Sequence, residues 1–162
     1  MTTSFDIPII DVVKEIYRAW KTTDCTYNLS KARLTKLVYL IDWNSALSEK
    51  KTITGINWYF NHHGPYVDDV VNAVKSSFDF TVCEYVSGST RWSEIQTKQT
   101  PNETTNERLK TYVNNVMSKT KDMNYDQFLS FVYSTYPVLE KEKYTYLDLM
   151  QLADEVVNQS KL

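Results

Sequence analysis

Two adjacent histidines, His62 and His63, lie in the run Asn57-Trp58-Tyr59-Phe60-Asn61-His62-His63-Gly64-Pro65-Tyr66. Imidazoles are the usual makings of metal centres and general bases. Neighbours in an extended strand point to opposite faces, so this pair is not expected to hold one ion. Neither a helical His-Glu-x-x-His pattern nor a Cys-His cluster at ligand spacing accompanies it. Cys25 and Cys83 are the candidate nucleophiles, yet they lack the paired spacing of a zinc or redox motif and read as reduced, half-buried thiols. The chain also lacks the glycine-framed serine of a nucleophile elbow, and one Gly64 cannot supply the amide array of a phosphate loop. No catalytic set, metal or cofactor is therefore expected. A small hydrolase built on His62 or His63 with a distant carboxylate remains the enzymatic rival.

The aromatic content points elsewhere. The sequence holds 12 tyrosines and 4 tryptophans, residues that offer large contact area with few rotors and a polar tip. Trp20 and Trp43 fall on apolar helical faces and belong to the core, whereas Tyr59, Tyr66, Tyr85 and Trp92 fall in strands or at a turn and are interface candidates. Gly64 can adopt positive φ and Pro65 fixes the next φ, so a strand is expected to break there sharply into a helix. The expected partner-binding set is Trp58, Tyr59, Asn61, His62, His63, Gly64, Pro65, Tyr66 and Asp69.

The elements that must position this run follow from periodicity. Ile9, Val12, Val13, Ile16, Tyr17 and Trp20 share one helical face, with Asp6 as its cap and Pro8 in its first turn. After the linker 21–28, Leu34 to Leu47 is apolar on more than one face, as a central helix requires. Residues 52–60 alternate Ile56, Trp58 and Phe60 with polar neighbours and predict a half-buried strand. Val67, Val70, Val71, Val74 and Phe78 then form a helical face backed by Asp68, Asp69, Asn72 and Lys75. Segments 80–86 and 91–97 flank Ser87-Gly88-Ser89-Thr90, a hairpin to which the earlier strand could pair. Capping signatures at Thr104 to Glu107 and at Asn124 with Gln127 start two more helices, the second ending at Pro137, and Leu149 to Val157 supplies the last. The fold class is mainly α with a small antiparallel β-sheet or hairpin (α+β), about six helices in one compact domain spanning 1–162.

A chain of 162 residues with 42% apolar content can bury one core. Net charge is −2 and the basic residues are scattered, so nucleic acid is not the default partner. Met1 to Asp6 shows no leader pattern and no apolar run spans a bilayer, which predicts a cytoplasmic protein without a membrane partner. Three helices before a hairpin also suit a winged-helix nucleic-acid-binding regulator, the alternative reading. Against it, the would-be recognition helix presents Asp68 and Asp69, which repel phosphate, and the best basic group, Lys31, Arg33 and Lys36, reads as an exposed helix start.

The order Leu34-Thr35-Lys36-Leu37-Val38-Tyr39-Leu40-Ile41-Asp42-Trp43, then Gly55-Ile56-Asn57-Trp58-Tyr59-Phe60, then His63-Gly64-Pro65-Tyr66-Val67 resembles the SocA-like, or Panacea, antitoxin domain. Tyr39, Asp42, Trp58, Tyr59, Gly64, Pro65 and Tyr66 fall on that pattern, which is clearest over residues 30–74. The resemblance implies a mainly helical domain that neutralises a cognate protein toxin encoded beside it, by direct binding or as an adaptor that delivers the toxin to a protease. It carries over no catalytic set. Some members also carry a separate DNA-binding segment, for which these 162 residues leave no room, so autoregulation by DNA binding is not expected.

Overall fold

In the computed structural model, which describes residues 6–25 and 27–160, Ser30 opens the helix around which the other elements gather. The stretch 1–5, part of the reading for a leader, lies outside the described residues, as does Thr26 of the linker. The Ser30 hydroxyl accepts from the Arg33 amide and starts α2, Lys31–Glu49. This helix buries residues on every side, Leu34, Leu37, Val38, Ile41 and Trp43 among them, as its all-round apolar pattern predicts.

Against it pack α1 (Ile9–Thr22), α3 (Asp69–Ser76), α4 (Glu107–Thr120), α5 (Tyr125–Tyr133) and α7 (Leu149–Gln159). The short α6, Tyr136–Glu140, joins α5 to α7. Apolar residues from all these helices, with Phe80 and Ile95 of the long hairpin, form a contiguous buried cluster. Glu15 of α1 is buried too, held by Arg18 and by the Thr104 amide (3.0 Å), which ties α1 to the chain entering α4.

Two antiparallel sheets of two strands each complete the described residues. Strands β1 (Phe60–Asn61) and β2 (Gly64–Pro65) pair Phe60 with Pro65 and Asn61 with Gly64. Strands β3 (Phe80–Ser87) and β4 (Thr90–Thr97) turn through Gly88 and Ser89 and run in register from Phe80 opposite Thr97 to Ser87 opposite Thr90. The α+β class thus stands, with seven helices among the described residues where about six were expected and with two sheets that do not join. Both cysteines are half-buried free thiols, Cys25 donating to the Lys121 carbonyl and Cys83 to Gln96.

Several local expectations change. The strand expected over 52–60 reduces to Phe60–Asn61, because its backbone bonds to an irregular segment at 144–147 rather than to a long strand; the alternation persists, with Trp58 and Phe60 inside and Asn57 and Asn61 outside. Pro65 does not lead straight into a helix, since α3 begins only at Asp69. The extended Ser77 ends α3, so Phe78 leaves the helical face and stands fully exposed.

Pro8 takes the N-cap position of α1 without a side-chain cap, and Asp6 instead lies against Gly55. Asn106, not Thr104, caps α4, while Asn124 and Gln127 form the expected capping box of α5. Pro137 sits in the first turn of α6 rather than ending α5. Arg33 and Lys36, expected on an exposed helix start, are each 1% exposed.

Candidate partner-binding site

The site begins with a carboxylate inside the core. Asp42 of α2 is fully buried and accepts from the Ile53 amide (2.9 Å), the Thr54 amide (3.0 Å), the Thr54 hydroxyl (2.5 Å) and the Trp58 indole N–H (2.8 Å). Burial pushes its pKa up against the pull of these four bonds. One turn earlier on α2, Tyr39 meets the Trp58 ring edge to face at 5.6 Å and 79°, and its hydroxyl pairs with Thr135 Oγ1 at 2.8 Å. Burial raises the Tyr39 pKa as well. Lys36, Tyr39 and Asp42 thus make a row three residues apart on α2 that grips the 53–66 segment.

Once anchored by Trp58, the chain is braced from the far end of the sequence. The Leu147 amide donates to the Trp58 carbonyl (2.8 Å), the Phe60 amide to Thr145 (2.9 Å) and the Tyr144 amide to Phe60 (2.6 Å). The β1–β2 hairpin projects from this brace with His62 and His63 at its corner. Gly64 closes the corner at φ +101°, where a Cβ would lie 3.1 Å from Tyr133 Cε1 and 3.6 Å from Lys36 Cε.

Because the histidines occupy a tight turn rather than a strand, they do not point to opposite faces. Their ring centroids are 4.4 Å apart, and His62 Nδ1 lies 3.2 Å from the Tyr144 hydroxyl. Among the described residues no group of three or more His, Cys, Asp or Glu is placed to hold a metal ion.

The expected partner-binding residues divide by burial. Trp58 has no exposed surface and cannot touch a partner in this conformation; with its indole N–H on Asp42, it is the anchor of the site rather than its face. Gly64 and Pro65 are buried and shape the turn, and Tyr59 and Tyr66 are half-buried. Asn61, His62, His63 and Asp69 are exposed.

Two rings absent from the sequence reading join them. Tyr144 is 58% and Tyr146 63% exposed, and Tyr146 packs edge to face on Tyr59 at 5.0 Å. The alternation Tyr144-Thr145-Tyr146 was the available signal, and Tyr59 and Tyr146 form an isolated antiparallel bridge. Of the other interface candidates, Tyr85 and Trp92 stack on the β3–β4 hairpin at 5.4 Å and are partly exposed.

Hollows lie on both sides of the turn. One of 390 Å³ is lined by Asn57, Tyr59, Asn61, Asp68, Asp69 and Tyr146 among others. On the other side a recess of 420 Å³ reaches Lys36 between Ala32, His62, His63, Tyr66 and Tyr125. Burial lowers the Lys36 pKa to about 8, and its ammonium sits 5.7 Å from the centre of the Tyr66 ring.

A family model described as antitoxin SocA-like, Panacea domain, matches residues 34–137, more than half of the chain. The match takes in the α2 row, the Trp58 anchor and the His62-His63 turn, and stops short of the 144–147 brace. No curated protein and no solved structure matches the chain. By the extent of that match, the chain belongs to the SocA-like antitoxin family and carries its Panacea domain.

Proposed function

We propose that this chain neutralises a cognate protein toxin, encoded next to it, by docking the turn face onto the toxin and covering its active surface. The observation that carries this reading is the exposed group around the turn. Asn61, His62, His63, Tyr144 and Tyr146 stand out from a frame whose anchor, Trp58, is wholly inside. A few partly exposed rings on a rigid base are what interface hot spots are made of, since little side-chain entropy is lost on docking. Asp68 and Asp69 beside the turn add a negative rim that favours a toxin surface with basic residues.

The action is binding rather than catalysis. The winged-helix alternative loses its basic patch, because Arg33 and Lys36 are inside and Asp69 is exposed at the start of α3.

The test is co-expression with the product of the adjacent gene. Rescue of growth and co-purification are expected, in a protease-deficient host as well as in an ordinary one. No rescue and no complex would overturn the proposal, and rescue only where the protease is present would replace occlusion by delivery for degradation.

A further inference from the structure

Two cations of α2 lie inside the molecule, and among the described residues neither pairs with a carboxylate. Lys36 is 1% exposed, and among the described residues no hydrogen bond or ion pair reaches its ammonium. Arg33, also 1% exposed, donates to the Thr120 carbonyl (2.9 Å) and lies against Phe128, Trp20 and Tyr27, and among the described residues its Nε has no hydrogen-bond partner. Buried charges are as a rule paired, because an unpaired one forfeits its hydration for nothing.

Each of these cations lines a hollow. The recess over Lys36 adjoins a cleft of 690 Å³ beside Arg33, and Ala32, Tyr66 and Tyr125 belong to the walls of both. Lys31 and Arg91 stand on the rim of the larger cleft, and Trp92, stacked on Tyr85, gives it a flat wall. Glu84, on the hairpin beside the larger cleft, is engaged by Lys31 at 2.5 Å. The start of α2 between them adds the positive end of a helix.

We propose that the joined clefts bind a nucleoside phosphate, its phosphate in the Lys36 recess with Asn61, His62 and His63 around it and its base among the aromatic walls of the larger cleft. The volumes are those of small-molecule sites, and a mainly apolar wall with a few convergent polar groups is their usual make-up. An ammonium at the floor of such a recess holds an oxyanion strongly because little water competes. A polynucleotide would need its cations in an exposed row; here Arg33 and Lys36 are inside. The site stands independently of toxin binding, although the two share Asn61, His62 and His63.

The test is calorimetric titration of the whole chain with AMP, UMP, inorganic phosphate, adenosine and a hexaglutamate peptide. At least one nucleotide should bind, with phosphate and adenosine each 10-fold weaker or more. Lys36→Met, checked for folding by circular dichroism, should weaken the nucleotide at least 10-fold. Trp92→Ala, which changes the larger cleft and not the Lys36 recess, should weaken the nucleotide and leave phosphate unchanged. Affinity should fall as pH rises through about 8, where the Lys36 ammonium loses its proton. Failure of both nucleotides to bind, or equal binding to Lys36→Met, would overturn the proposal. Tighter, Lys36-dependent binding of hexaglutamate would overturn it too, and would assign the cleft to an acidic protein segment.

Discussion

Replacing Asp42 with alanine deletes the acceptor at the base of the site. The Ile53 amide, the Thr54 amide and the Trp58 indole N–H would lose their partner at positions with little or no access to water. A buried donor left without an acceptor costs about 1–3 kcal/mol, so three of them set a range of roughly 3–9 kcal/mol. Part is returned, because the variant no longer buries a carboxyl whose pKa burial has raised. The expected net loss is about 4 kcal/mol, a large share of the ~5–15 kcal/mol that holds a domain together. Asp42→Asn keeps one oxygen but turns an amide donor toward two other donors, and should lose about 2–3 kcal/mol.

Urea unfolding followed by tryptophan fluorescence measures both variants. A cycle with Trp58→Phe isolates the indole bond, since that change should cost less once Asp42 is gone, with a coupling of about 1–2 kcal/mol. Stability of Asp42→Ala within about 1 kcal/mol of wild type, or no coupling to Trp58, would refute the claim that this carboxylate anchors the 53–66 segment.

Other outcomes follow from the same geometry. Because burial holds Lys36 down from 10.5 to about 8, the unfolded chain carries more protons between those values, so its contribution makes stability rise with pH across that window, by up to about 3 kcal/mol. Lys36→Met should lack this rise in paired urea titrations at pH 7 and pH 10, and should be the more stable protein at pH 7. Gly64→Ala should cost about 1–3 kcal/mol in urea unfolding, from an L side chain held at φ +101° and pressed against Tyr133. On the proposed docking face, Tyr144→Ala with Tyr146→Ala should leave folding nearly unchanged and weaken toxin binding by about 2 kcal/mol or more, read by calorimetry with the purified toxin.

Local signals announced most of the elements. The three-four spacing of Val12, Ile16 and Trp20, the all-round apolar run of α2, the Ser87 to Thr90 turn and the Asn124–Gln127 box each depend on neighbours within a few residues, and each appears where it was expected. What escaped depends on distant partners. The alternation around Trp58 is the same whether the segment sits in a long ladder or is anchored to a buried acid and bonded to 144–147. Nothing local marks Asp42 as an acceptor for four donors, or separates a solvated Lys36 from one enclosed by Gly64 and Tyr66. The histidines misled for a related reason, since a strand separates neighbours whereas a two-residue corner brings their rings together. Of the site, the turn and its aromatic setting were readable from sequence, but which ring faces outward was not.

The brace across Trp58 and Phe60 also fixes an order of events during synthesis. His62 and His63 leave the ribosome well before Tyr144, Thr145 and Leu147, whose backbone groups hold their hairpin. A nascent chain that has not yet reached residue 144 therefore carries the corner without its support, and so does one truncated after α6. The face proposed to dock on a partner is complete only once residues 144–147 have been made, so a product that stops before them should fail to bind.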